Sequence, residues 1–235
     1  MTASQDLSGR GLRILSTLAV KGAMPALEQS FVARGGRPFE VTYAPTNGIL
    51  SAIASGVRGD VVILTRDGID QLSSQGLLSD PVDFAHSYVG LAVKAGSAAP
   101  DISTPEALVD ALHAAPSIAY SRIGASGIYF TDLIERLGIA DMVKAKAVVV
   151  PSGFTAAEVA SGRAEVAIQQ VSELKVVPGV TVVGPLPRQL QVPTRITASP
   201  FASARDAAGA NAFVSYLASP GVHRILAGAG LEPIA

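Results

Sequence analysis

Four short segments carry the residue types from which an anion site is made. They read Thr-Leu-Ala-Val-Lys-Gly at 17–22, Pro-Thr-Asn-Gly at 45–48, Ser-Arg-Ile-Gly-Ala-Ser-Gly at 121–127 and Pro-Ser-Gly-Phe at 151–154. Each follows an apolar, β-rich run and precedes a helical pattern. Backbone N–H groups at the start of a helix have no intrahelical partner, and together with the helix dipole they attract negative charge. Small residues let an oxyanion approach those groups, and Thr46, Asn47, Ser126 and Ser152 add short side-chain donors. Taken singly, each segment also reads as an ordinary cap or turn, because caps favour the same residue types. Four of them in corresponding places point to one shared ligand.

Three charged residues near these segments are candidates for chemistry. Lys21 stands just before the first expected helix, where the dipole opposes a cation. It either pairs with a ligand carboxylate, acts as a desolvated base of lowered pKa, or lies solvated on the surface. Arg122 either clamps a carboxylate in bidentate fashion or is a surface residue. Glu173 follows Gln169, Gln170 and Ser172 at the exit of an expected strand, and it serves either as a general acid or base or as a helix cap. His86, His113 and His223 show no metal-ligand spacing, and there is no cysteine, so neither a metal nor a cofactor is expected. Gly124-Ala125-Ser126-Gly127-Ile128 lacks the last glycine of a nucleophile elbow, which argues against a serine hydrolase. Tyr129 is expected to pack with its hydroxyl reaching the hinge.

The elements that must position these groups alternate between strand and helix. The apolar run 12–20 is expected to start as a strand, and further strands are expected at 39–44, 61–64, 87–96, 117–120, 147–150, 165–170, 180–184 and 191–201. Helices are expected at 22–33, 49–55, 67–75, 102–115, 128–137, 155–160, 206–217 and 221–229. Ser103, with Pro105 and Glu106, reads as a capping box for the fourth helix. The alternation predicts α/β architecture with parallel sheets. Two long extended segments, near 86–96 and 190–200, suit a chain that leaves one lobe, builds a second and returns. The lobes are expected at 1–86 plus 197–235 and at 87–196.

With 18 Lys+Arg against 19 Asp+Glu, net charge is near zero, which excludes a nucleic-acid surface or a polybasic membrane patch. No apolar run is long enough to insert into a membrane. Met1 to Arg10 has no basic n-region or apolar h-region, so a cytoplasmic placement is expected, or a periplasmic one if a native signal peptide was removed.

The order of these motifs carries a resemblance. Gly22-Ala23-Met24, Ala44-Pro45-Thr46-Asn47-Gly48, Ser126-Gly127-Ile128-Tyr129 and the ending FVSYLASPGVHRILAGAGLEP (213–233) resemble the molybdate-binding proteins of ABC transporters. These have the two-lobed type II periplasmic-binding-protein fold, with a central cleft, and the chain is also similar to aconitate-isomerase-like members of that group. The resemblance implies that Ala19, Thr46, Asn47, Arg122, Ser126, Ser152, Gln169 and Gln170 surround a small anion. Ala19 replaces the family's usual serine and Gln170 its tyrosine, so a tetrahedral metal oxyanion loses two donors and an organic carboxylate gains favour. It further implies either an isomerase performing a 1,3-proton shift, with Lys21 as the first candidate for the base and Glu173 as the second, or a solute-binding protein whose partner is an ABC transporter.

Overall fold

The computed structural model describes residues 11–234. The Met1–Arg10 segment read above for a targeting signal lies outside the described residues. The chain forms two lobes, each built on its own sheet. In the first, β1 (Leu12–Ser16), β2 (Phe39–Tyr43), β3 (Val61–Thr65), β4 (Val82–Ser87), β10 (Thr194–Pro200) and β11 (Glu232–Pro233) lie in the order β11-β4-β10-β3-β1-β2. In the second, β5 (Val89–Lys94), β6 (Ile118–Ser121), β7 (Ala147–Val150), β8 (Val166–Gln170) and β9 (Val180–Pro185) lie in the order β7-β6-β8-β5-β9.

Both sheets are mixed, which corrects the expectation of parallel sheets. β1, β2 and β3 run parallel, as do β6, β7 and β8, but β10 is antiparallel to β3 and β4, and β5 is antiparallel to β8 and β9. The physical reason is the crossing itself. The chain passes from β4 to β5 through Tyr88 alone and returns between β9 and β10, so these strands run against the strand–helix units beside them. The segment expected as one strand over 87–96 is therefore the end of one strand and the start of another.

Helices cover the sheets. They are α1 (Met24–Val32), α2 (Thr46–Ala54), α3 (Arg66–Ser73), α4 (Pro105–Ala114), α5 (Ala125–Arg136), α6 (Ala140–Ala145), α7 (Ala156–Ala160), α8 (Val171–Leu174), α9 (Ala207–Leu217) and α10 (His223–Gly228). Each sheet is buried on both faces. Ile14, Val61, Ile63 and Phe213 pack on one side of the first sheet; Leu15, Val62, Leu64 and Ile49 pack on the other. The second sheet repeats the pattern with Leu91, Ile118, Ile168 and Phe130 against Ala92, Ala119, Ala167 and Val159. Adjacent strand residues thus point to opposite cores, which explains the unbroken apolar runs.

The cap of α4 is Thr104, not Ser103. The Thr104 Oγ1 accepts from the Ala107 N–H at 3.1 Å, while the Ser103 N–H is engaged by Asp101 at 2.9 Å. Pro105 occupies the first helical turn as expected, and it places the cap one residue later. Thr104→Ala is expected to cost about 1 kcal/mol, lowering Tm by about 2–4 °C in calorimetry, whereas Ser103→Ala leaves Tm nearly unchanged.

Candidate functional site

The carboxyl ends of β1, β2 and β3 face those of β6, β7 and β8 across a cleft, and the loops leaving them enclose a cavity. All the space between its atoms, including the part open to solvent, comes to about 520 Å³, but only about 30 Å³ admits the centre of a water-sized sphere. Three helices of eight or more residues begin at its wall: α2 after Pro45, α3 after Thr65 and α5 after Gly124. None of the three has a side-chain cap, whereas α4 and α9, which start elsewhere, are capped by Thr104 and Asp206. The first N–H groups of these three helices thus have no side-chain acceptor, as is also true of α1, α6, α7, α8 and α10. The Thr46 Oγ1 is buried and without a hydrogen-bond partner in the same place.

Of the expected site residues, Ala19, Thr46, Ser126, Ser152, Gln169, Gln170 and Glu173 line this cavity. Asn47 does not; it lines a neighbouring groove with Leu50, Asp67 and Ile128. Arg122 is exposed and lines neither space, because the turn before α5 directs Ser121, Gly124 and Ser126 inward instead. Lys21 also lies outside the cavity lining. Its ammonium sits over the rings of Tyr43 and Phe154, 5.5 and 5.3 Å from their centroids. His86 lies in β4 and does not reach the cavity.

The two glutamines hold the site's frame. The Gln169 Oε1 accepts from the Thr155 N–H at 2.8 Å and from the Thr155 hydroxyl at 3.0 Å, and its Nε2 donates to the Gly153 carbonyl at 3.0 Å. This fixes the loop that carries Ser152. The Gln170 Oε1 accepts from the Ser87 hydroxyl at 2.9 Å, and its Nε2 donates to the Thr194 Oγ1 at 3.3 Å. Gln170 therefore ties the strand that leaves the first sheet to the strand that returns to it. The Tyr129 hydroxyl donates to the Leu190 carbonyl at 3.0 Å, in the returning segment.

Glu173 is the only titratable side chain lining the cavity among the described residues. Burial pushes its carboxyl up to about 7, opposed by a weaker lowering from Gln169. No charged side chain stands among the causes. The elements packed on α8 are β8, β9, β5 and the short 3-10 turn Leu18–Val20, and the only charge they carry is Lys94, exposed at the end of β5. A carboxyl poised near neutrality exchanges a proton readily in either direction.

Sequence reasoning passed over Thr17, Thr65, Ser121 and Thr194, which add hydroxyls to the lining, and Leu18, Ile123, Ala125 and Ile196, which give it an apolar wall. Thr17 and Ser121 lay within the named loops. Thr65 ends an apolar strand and could have been read as the residue facing the ligand. Thr194 required the register of the returning strand.

Fold and cleft together define a two-lobed binding protein of the type II periplasmic architecture. The chain belongs to the bacterial extracellular solute-binding protein family, whose profile matches residues 12–232. It is 31% identical over 231 residues to the aconitate isomerase of a Pseudomonas species, covering 95% of this chain and 88% of that protein. The periplasmic molybdate-binding protein of Azotobacter vinelandii superposes with a TM-score of 0.79 at 20% identity, over 94% of this chain and 98% of that one. The tungstate-binding protein of Desulfovibrio alaskensis gives 0.66 at 14% identity, over 97% and 100%. These structural likenesses show the fold. Among the described residues no helix is long and apolar enough to cross a membrane.

Proposed function

We propose that this protein binds a small organic polycarboxylate between its lobes and performs a 1,3-proton shift on it, as an aconitate-isomerase-like enzyme, with Glu173 as the proton carrier. The supporting observation is Glu173 itself: a buried carboxyl, near neutrality, inside an anion-suited cavity. The kinship to aconitate isomerase supports the same reading. The apolar wall of Leu18, Ala19, Ile123, Ala125 and Ile196 favours a carbon skeleton, because an oxyanion with oxygens on every side would lose hydration there without gaining donors. The adjoining groove shares Thr65, Ala125 and Thr194 with the cavity and adds Asp67 together with Arg66 and Arg195, both of which are ion-paired to Asp83.

The chemistry follows from the placement. Ionised Glu173 removes a proton from the saturated carbon next to a carbon–carbon double bond conjugated with a carboxylate. The C–H electron pair forms a new double bond, and the old π pair moves onto the conjugated carboxylate. The α2 and α5 N–H groups, with Thr46 and Ser126, stabilise that charge. The Glu173 O–H then returns the proton to the other end of the allylic unit, which relocates the double bond by one carbon and restores the carboxylate. Lobe closure, of residues 1–86 plus 197–235 upon 87–196, excludes water. A cytoplasmic location accompanies this reading.

A second reading is favoured by the family's description and by the molybdate- and tungstate-binding neighbours: a periplasmic solute receptor for an ABC transporter, without turnover. Proton NMR of trans-aconitate with the protein in deuterated water separates the two. The expected result is cis-aconitate with deuterium at the exchanging position, together with a higher Tm in the presence of trans-aconitate. Stabilisation by molybdate or tungstate alone, with no isomerisation, would favour the receptor and overturn the isomerase.

A further inference from the structure

Lys21 lies outside the cavity, yet it occupies a telling position between the lobes. Tyr43 is the last residue of β2, and β2 is the edge strand of the first sheet. Phe154 follows β7, the edge strand of the second sheet. In each sheet these edges are separated by two strands from the nearest strand that carries a crossing, β10 in the first and β5 in the second. The contact therefore joins residues next to the outer edge of each sheet.

The ammonium of Lys21 meets one ring from each lobe, 5.5 Å from the Tyr43 centroid and 5.3 Å from the Phe154 centroid. Both distances lie within the roughly 6 Å reach of a cation–π contact. Among the described residues Lys21 has no carboxylate within ion-pair distance. Burial, with a smaller push from Glu28, raises the Tyr43 hydroxyl to about 12, so Tyr43 meets the cation as a neutral phenol. The next residue closes the seam: a Cβ built on Gly22 would lie 3.3 Å from the Val176 side chain of the other lobe. Gly22 leaves room for close approach there, and the short turn before it packs on α8.

We propose that Lys21 is an interlobe latch, its ammonium held between Tyr43 and Phe154 when the cleft is shut and released when the lobes part. The latch slows opening and ligand escape without touching the ligand. Arginine at the same position preserves it, because a guanidinium also stacks on aromatic faces. Methionine keeps the aliphatic stem and removes the charge.

The latch is tested first without ligand. Cysteine is absent from the chain, so Ala54→Cys and Ala157→Cys, both exposed and one in each lobe, can carry a spin-label pair cleanly. Pulsed electron–electron distance measurement is expected to give a dominant short distance in the parent, a larger long-distance population in Lys21→Met and Phe154→Leu, and the parent distribution in Lys21→Arg. Identical distributions in all four overturn the latch. In stopped-flow, trans-aconitate is expected to leave Lys21→Met about five- to tenfold faster with an unchanged on-rate. An unchanged off-rate from a protein that binds the probe also overturns it. This kinetic arm rests on the polycarboxylate reading; if the parent does not bind trans-aconitate, that reading fails while the ligand-free distances still decide the latch.

Discussion

Under the proposed isomerase function, Glu173→Gln is expected to lower the rate of the 1,3-proton shift by about a thousandfold, within the range a positioned acid–base group supplies, and to change the affinity for trans-aconitate only a few-fold. The amide keeps the size and hydrogen-bonding capacity of the side chain but carries no exchangeable acid proton. A parent enzyme whose kcat rises through about pH 7, matched by a variant with no such limb, is the outcome expected from the raised carboxyl pKa. The same shift sets a sign for stability. The folded state holds the proton to about pH 7 and the unfolded chain only to about 4.5, so the folded state binds more protons between those values. Glu173 thus contributes stability that is full below about pH 4.5 and lost as pH rises through about 7, on the order of 3 kcal/mol. In Glu173→Gln that decline is absent. Thermal melts from pH 4 to pH 9, in parallel with kinetics, check both halves. A variant that keeps turnover would remove Glu173 from the chemistry.

The fold was legible because both lobes repeat one simple pattern. The apolar runs 61–64 and 166–168 each feed two cores, and only a strand buried on both faces needs that composition. The loops after β1, β2, β6 and β7 were legible for a related reason: small and hydroxyl residues at the head of a helix leave backbone donors open. Direction was harder. Antiparallel pairing of β10 and β5 is set by where the chain changes lobe, and nothing local in Thr194–Pro200 encodes that. Lys21 shows the same limit at the level of one side chain. Its type suggested a base, but the rings beside it come from 43 and 154, one on each lobe, which only the tertiary structure brings together. Glu173 was visible as a candidate, whereas its proton affinity depends on burial by four neighbouring elements and could not be read from VSEL.

Gly127→Ala is expected to damage both stability and anion binding, and the geometry says why. Gly127 lies in the first turn of α5, the helix that presents Ser126 to the cavity. A Cβ built there would stand 1.9 Å from the Ser121 carbonyl oxygen and 2.6 Å from its carbon. Both obstacles are backbone, and Ser121 closes β6, paired to Val150 of the neighbouring strand. Neither side can yield by a rotamer change, so the start of α5 must move away from the sheet by more than 1 Å to about 1.5 Å, a shift of the size that weakens a preorganised site. The expected cost is about 3 kcal/mol, with trans-aconitate binding weakened more than tenfold because Gly124, Ala125 and Ser126 move together. Gly228→Ala is the matched control. It lies at the end of α10 with nothing within 4 Å of the added Cβ, and there alanine is expected to stabilise by up to about 1 kcal/mol. Denaturant unfolding of the two variants should therefore move the midpoint in opposite directions. Equal midpoints would mean that the α5 terminus yields easily and that Gly127 does not fix the turn facing the cavity.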